Sequence, residues 1–135
     1  MNIKELRINN LISHNGLICT VEIINGELDE IYFLGEDFYH CDKPENLEGV
    51  PLTEEWIEEW ILTLPKNKLK FNMKREYVFE AIRFIINKYI ILTIHNDGIV
   101  SLGLLNQSFS IQLKYVHTFQ NLYFALTGNE LPLNL

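Results

Sequence analysis

Three short stretches carry residue types able to do chemistry. His95-Asn96-Asp97 sets an imidazole and a carboxylate one residue apart, a pair that general bases and metal sites use. His40-Cys41 sets a thiol beside an imidazole. Neighbours on an extended chain point to opposite sides, so a Cys–His ion pair would not form locally. "KNKLKFNMKR" puts Lys68, Lys70 and Lys74 on one side of an alternating run with Phe71 interleaved. That combination suits single-stranded nucleic acid or a small anionic, nucleotide-like ligand.

Each stretch also has a plainer reading. His-Asn-Asp-Gly is an ordinary hairpin end, and alternating lysines are what a solvated sheet face carries. His14, His40, His95 and His117 show no H-x-x-x-H spacing, there is no C-x-x-C, and both phosphate-cradling glycine motifs are missing. The expectation is a non-catalytic protein with no metal, no cofactor and no catalytic residues. Anionic-ligand binding through Lys68, Lys70 and Lys74 is one alternative, and an enzyme using His95, Asp97 or Cys41 is another.

Charge narrows the partners. The formal net charge is −7 over 135 residues, against the cation density that phosphate contacts need. The expected result is no sub-micromolar binding of duplex DNA in a gel shift at about 150 mM salt. The charge is also uneven. Residues 27–59 hold twelve Asp or Glu and one Lys (1 − 12 = −11), whereas residues 66–88 hold seven Lys or Arg and two Glu (7 − 2 = +5). Such a dipolar chain either folds its halves together or meets a charged partner.

Length and composition point to one domain spanning 1–135. Apolar residues make up 47% and charged residues 21%, ordinary for a globular fold. "MNIKELRINN" lacks the apolar core of a signal peptide. The longest apolar run, around "YIILTI", is too short to span a bilayer. A cytoplasmic protein off the membrane follows. Two cysteines, Cys19 and Cys41, are too few for a disulfide scaffold and read as reduced thiols.

The elements follow from periodicity. Ile3, Leu6 and Ile8 begin an apolar pattern. Asn15-Gly16 and Asn25-Gly26 flank the β-branched run "LICTVEII", and "ELDEIYFL" follows: a hairpin signature. Residues 35–50, rich in Gly, Asp, Asn and Pro, read as irregular. In "PLTEEWIEEWILTLP", Thr53 sits at the cap position. Trp56, Ile57, Trp60, Ile61 and Leu64 share one helical face until Pro65. Residues 77–86 suit either helix or hairpin. Their β-branched content and the strand-like Tyr89–Ile94, closed by Asp97-Gly98, favour strands. The whole is an α+β fold, antiparallel β-meander sheets packed with two amphipathic helices.

The second helix is "YVHTFQNLYFALTGNEL", residues 115–131. At 100° per residue, Tyr115, Val116, Phe119, Leu122, Tyr123 and Leu126 form one stripe, and Gly128 takes the C-cap. Phe124 falls on the far side with His117, flanked by Gln120 and Asn121. His117, Gln120 and Phe124 therefore read as a protein contact surface, for a partner or for self-association.

The same stretch resembles a C-terminal signature close to Y-V-H-Q-L-Q-N-L-Y-F-A-L-T-G-E-E-L, found in small proteins of Bacteroidetes phages and prophages. "PLTEEW" at 51–56 is similar to an upstream element of those proteins. The two cover 23 residues, and the chain departs at Thr118, Phe119 and Asn129. The resemblance implies a phage or prophage origin and a bacterial cytoplasm, not a mechanism, and it brings no catalytic residue with it. The preferred expectation for function is an accessory protein that acts by binding a host or phage protein.

Overall fold

The computed structural model describes residues 1–63, 74–78, 81–86, 90–104 and 110–131. The fold is α+β, with helices and antiparallel sheets in a meander. The chain divides into two compact units: Met1–Pro51 with Tyr115–Glu130, and Leu52–Lys114 with Leu131–Leu135.

The first unit opens with a 3-10 turn at Ile3–Glu5, where an apolar strand-like pattern had been expected to begin. Asn2 caps the turn, its Oδ1 accepting from the Lys4 N–H at 3.0 Å. Five strands follow: β1 (Leu11–His14), β2 (Leu17–Asn25), β3 (Glu30–Leu34), β4 (Tyr39–Asp42) and β5 (Glu48–Gly49). They pair antiparallel in the order β4-β3-β2-β1-β5. Asn15 and Gly16 both take positive φ, 51° and 81°, as the two-residue hairpin turn demands. At the second turn Asn25 Oδ1 accepts from the N–H groups of Glu27 and Leu28. The loop there runs on to Asp29 at φ 53°, longer than the Asn-Gly dipeptide implies.

Residues 35–50 are more regular than their composition suggests, because β4 and β5 both fall there. Both are short edge strands, and an edge strand needs no continuous apolar run. Ile12, Cys19, Val21, Ile31 and Phe33 form the buried side of the sheet, with Leu6 and Leu47 packed on it. Burial raises the pKa of the Cys19 thiol, and Cys19 and Cys41 are both free.

Helix α2 (Val116–Thr127) completes this unit. Its first N–H, on Val116, donates to Val50 O at 2.8 Å, so the residue after β5 serves where no side chain caps. The helix ends as expected: Gly128 has φ 72°, and its N–H donates to Phe124 O. Gly49 lies against the Tyr115 ring, and a Cβ there would overlap it. Only glycine lets the chain pass at that point.

The second unit carries α1 (Glu54–Thr63) and the strands β6 (Lys74–Val78), β7 (Ala81–Ile86), β8 (Ile90–Ile94), β9 (Val100–Leu104) and β10 (Ser110–Leu113), in the order β10-β9-β8-β7-β6. The described part of 77–86, residues 77–78 and 81–86, is thus strand. Asp97-Gly98 turns between Ile94 and its partner Val100. In α1, Ile57 and Trp60 are buried while Trp56 is half-buried. Thr53 O accepts from the Ile57 N–H. The Glu55 carboxyl is held below the usual range by its own N–H and by the Thr53 hydroxyl. No helix among the described residues is long and apolar enough to cross a membrane.

Candidate functional site

The aromatic helix explains itself through the segment it grips. The structure corrects the placement of His117 and Gln120, which are 1% and 4% exposed. The buried face of α2 comprises Val116, His117, Phe119 and Gln120, while Leu126, expected in the stripe, is 42% exposed. Polar side chains turn inward here because backbone groups await them. The Gln120 Oε1 accepts from the Leu11 N–H at 2.8 Å, and its Nε2 donates to Asn9 O at 3.0 Å. β5 pairs with β1 only at Ile12 and Ser13, so the Gln120 amide continues the ladder where that strand has stopped. Asn121 extends the grip, donating to Glu5 O at 2.7 Å and accepting from Asn10 Nδ2 at 2.8 Å. Asn10 is itself buried, and its Oδ1 accepts from the Arg7 N–H.

Phe124 stands apart from these and is 37% exposed. The Arg7 guanidinium lies over its ring, 3.8 Å from the centroid, and pairs with Glu130 at 2.8 Å. A cation over an exposed aromatic stabilises by about 0.5–1 kcal/mol. Phe124→Ser is therefore expected to shift thermal melting far less than Phe119→Ser, which empties a fully buried site. Melting the two variants side by side checks this. Equal losses would place Phe124 in the core.

Among the described residues His117 has no hydrogen-bond partner at either ring nitrogen. Its ring stacks on Tyr115, with centroids 5.5 Å apart and planes 12° apart, and the Glu5 carboxylate stands 4.0 Å from Nε2. Burial lowers its pKa, with Glu5 opposing. A base whose folded pKa is depressed is protonated first in the unfolded chain, so stability falls as pH drops below the unfolded value of about 6.5. The Asp42 carboxyl, also held low, loses its contribution only at more acid pH, below about 4. Denaturation midpoints measured from pH 7.5 to 5 are expected to fall for the native chain. The His117→Phe variant is expected to hold them nearly flat.

A second cluster escaped the sequence reading. His40 and Asp42, two apart on β4, share the face of Phe33 and Ile31. The His14 Nε2 lies 3.1 Å from Asp42 Oδ2. His40 stacks on Phe33 (5.6 Å, 18°), and Phe38 meets His40 edge-on at 6.0 Å. Asn46 Nδ2 and the Lys43 N–H both donate to the other Asp42 oxygen. Together with His14 they hold the Asp42 carboxyl below its usual range, Asn46 contributing most. The signal was the alternation His-x-Asp, masked because residues 35–50 read as irregular. Cys41 lies on the opposite face with Tyr32, so His40 and Cys41 do not form a nucleophile pair.

The remaining candidates are placed as follows. His95 Nε2 lies 3.1 Å from Ser101 Oγ, and Asp97 Oδ1 accepts from the Ile99 N–H. Both side chains thus serve the β8–β9 hairpin. Lys74 opens β6, while Lys68 and Lys70 lie outside the described residues. No group of three or more metal-binding side chains comes together among the described residues. No family model matches the chain, and neither a curated protein nor a solved structure is significantly similar to it.

Proposed function

We propose that this chain is a non-catalytic accessory protein that works by binding another protein, through the open outer side of its first sheet. One observation carries the reading. Ile18, Ile23, Leu34 and Tyr39 share the side opposite the buried core, by strand register, and are 39%, 54%, 37% and 69% exposed. Phe38, also exposed, lies toward His40 on the other side of the strand and is not part of this row. Apolar residues gathered on one side and left in water mark contact surfaces. A phage or prophage origin, with action in a bacterial cytoplasm, belongs to the same proposal. It is supported by the resemblance at residues 51–56 and 115–131.

The contact surface is thereby moved from His117 and Gln120, which are buried, to β2–β4. The test is retention of a partner from bacterial lysate by the native chain and by Tyr39→Ser and Ile23→Ser, with melting recorded for each. The expected result is a protein held by the native chain and released by both variants at unchanged stability. A partner held equally by all three, or none held by any, rejects the reading.

A further inference from the structure

From the free edge of β4 we infer that the partner is a basic, extended segment that adds to the first sheet as a sixth strand. The inference rests on the protein-binding reading above and names the mode and chemistry of that binding. Among the described residues β4 ends its sheet, and Tyr39, His40 and Cys41 are all exposed. The hydrogen-bond phase shows what the edge offers. The Gly35 N–H donates to Phe38 O at 3.0 Å, so Gly35 and Phe38 are a bonded pair. Bonded and non-bonded pairs alternate along an antiparallel ladder. Phe33 with His40 and Ile31 with Asp42 are thus bonded, while Leu34 with Tyr39 and Tyr32 with Cys41 are not. The N–H and C=O groups of Tyr39 and Cys41 then point away from β3, spaced as an incoming strand requires.

The neighbouring side chains state what that strand carries. On one side it continues the row of Tyr39 and Cys41, where apolar side chains fit. On the other it meets His40 and Asp42, whose carboxylate already takes Asn46, the Lys43 N–H and His14, so a cation there is drawn by the exposed acids that flank β4. Charge complementarity sets the sign. Glu36 and Asp37 precede β4 and Glu45 follows it, all exposed, within a stretch of the first unit, residues 27–51, that holds eight Asp or Glu and one Lys (1 − 8 = −7). An acidic strand would be repelled here, and a segment alternating Lys or Arg with apolar residues is drawn in.

The probe is a synthetic octapeptide, (Lys-Val)4 with blocked ends, titrated into the full chain by calorimetry. Comparators are (Glu-Val)4 and two isomers of the basic peptide, N-methylated either at every Lys or at every Val. Saturable binding of (Lys-Val)4 is expected, with none of (Glu-Val)4. One N-methyl isomer should lose at least tenfold in affinity and the other much less, because only alternate N–H groups of a strand face β4. Cys41→Pro removes an N–H that β3 does not use. It should cut affinity by a similar factor at unchanged melting temperature. No saturable binding of (Lys-Val)4, equal binding of both isomers, or full affinity in Cys41→Pro overturns the inference. If a lysate partner is nonetheless released by Tyr39→Ser and Ile23→Ser, the surface binds through its apolar side rather than its edge. The protein-binding reading then stands without the added strand.

Discussion

Gln120→Ala is expected to lower folding stability by about 2–4 kcal/mol, although the residue is polar and touches no catalytic group. The side chain is 4% exposed and holds two backbone groups, the Leu11 N–H and the Asn9 C=O. Removing it takes away both partners and gives no water in exchange. An unsatisfied buried donor or acceptor costs about 1–3 kcal/mol, more than a hydrogen bond contributes when formed. Gln120→Leu restores the volume without the partners, so it is expected to fall nearly as far as Ala. Gln120→Glu separates the two bonds. Its carboxylate still accepts from Leu11 but cannot donate to Asn9, and its charge is buried. Burial holds the folded pKa of that Glu above its unfolded value of about 4.3, so the variant gains stability as pH falls through the folded pKa. Denaturant titrations with an unchanged slope read all three variants. A Gln120→Ala loss below 1 kcal/mol would show that the amide does not close the edge of β1.

Trp60→Ala is expected to cost about 3–5 kcal/mol, the range for emptying a buried aromatic site. Trp60 is 1% exposed and Ile57, on the same helical face, is 0% exposed. Trp56, one turn earlier, is only half-buried, and Trp56→Ala is expected to cost clearly less. The paired measurement matters because the two tryptophans are equivalent in hydrophobic pattern and differ only in what encloses them. Comparable losses for the two, or a melting temperature that barely moves for Trp60→Ala, would mean that α1 docks on a different face.

Much of the architecture is written in short-range chemistry. Asn15-Gly16 and Asp97-Gly98 mark turns because Asn15, Gly16 and Gly98 take positive φ, which few residues accept. The β-branched run 17–24 could only be a strand. Gly128 closes α2 in the left-handed conformation that the periodicity demands. These signals depend on neighbours a few residues away, so a linear reading recovers them. The same holds for the buried Trp60 on its three- and four-residue stripe.

The contacts that decide the surfaces are long-range. Gln120 and His117 read as exposed because they are polar and lie off the apolar stripe, yet both are buried. Gln120 finds its partners 109 and 111 residues away in the chain, and no periodicity can announce that. Phe124 is an odd aromatic on a polar face until Arg7, far upstream, is laid over it. His14 and Asp42 sit on β1 and β4 with two strands between them in the sheet. Their 3.1 Å approach exists only once that sheet has formed. Composition and periodicity alone determined the α+β class, the Asn15-Gly16 turn and the Gly128 cap, because each follows from local backbone preference. Which polar groups are buried, which strand edge is free and which apolar side chains remain in water were decided only by the tertiary fold. The reason is that burial is a property of the elements brought together, not of the residue type.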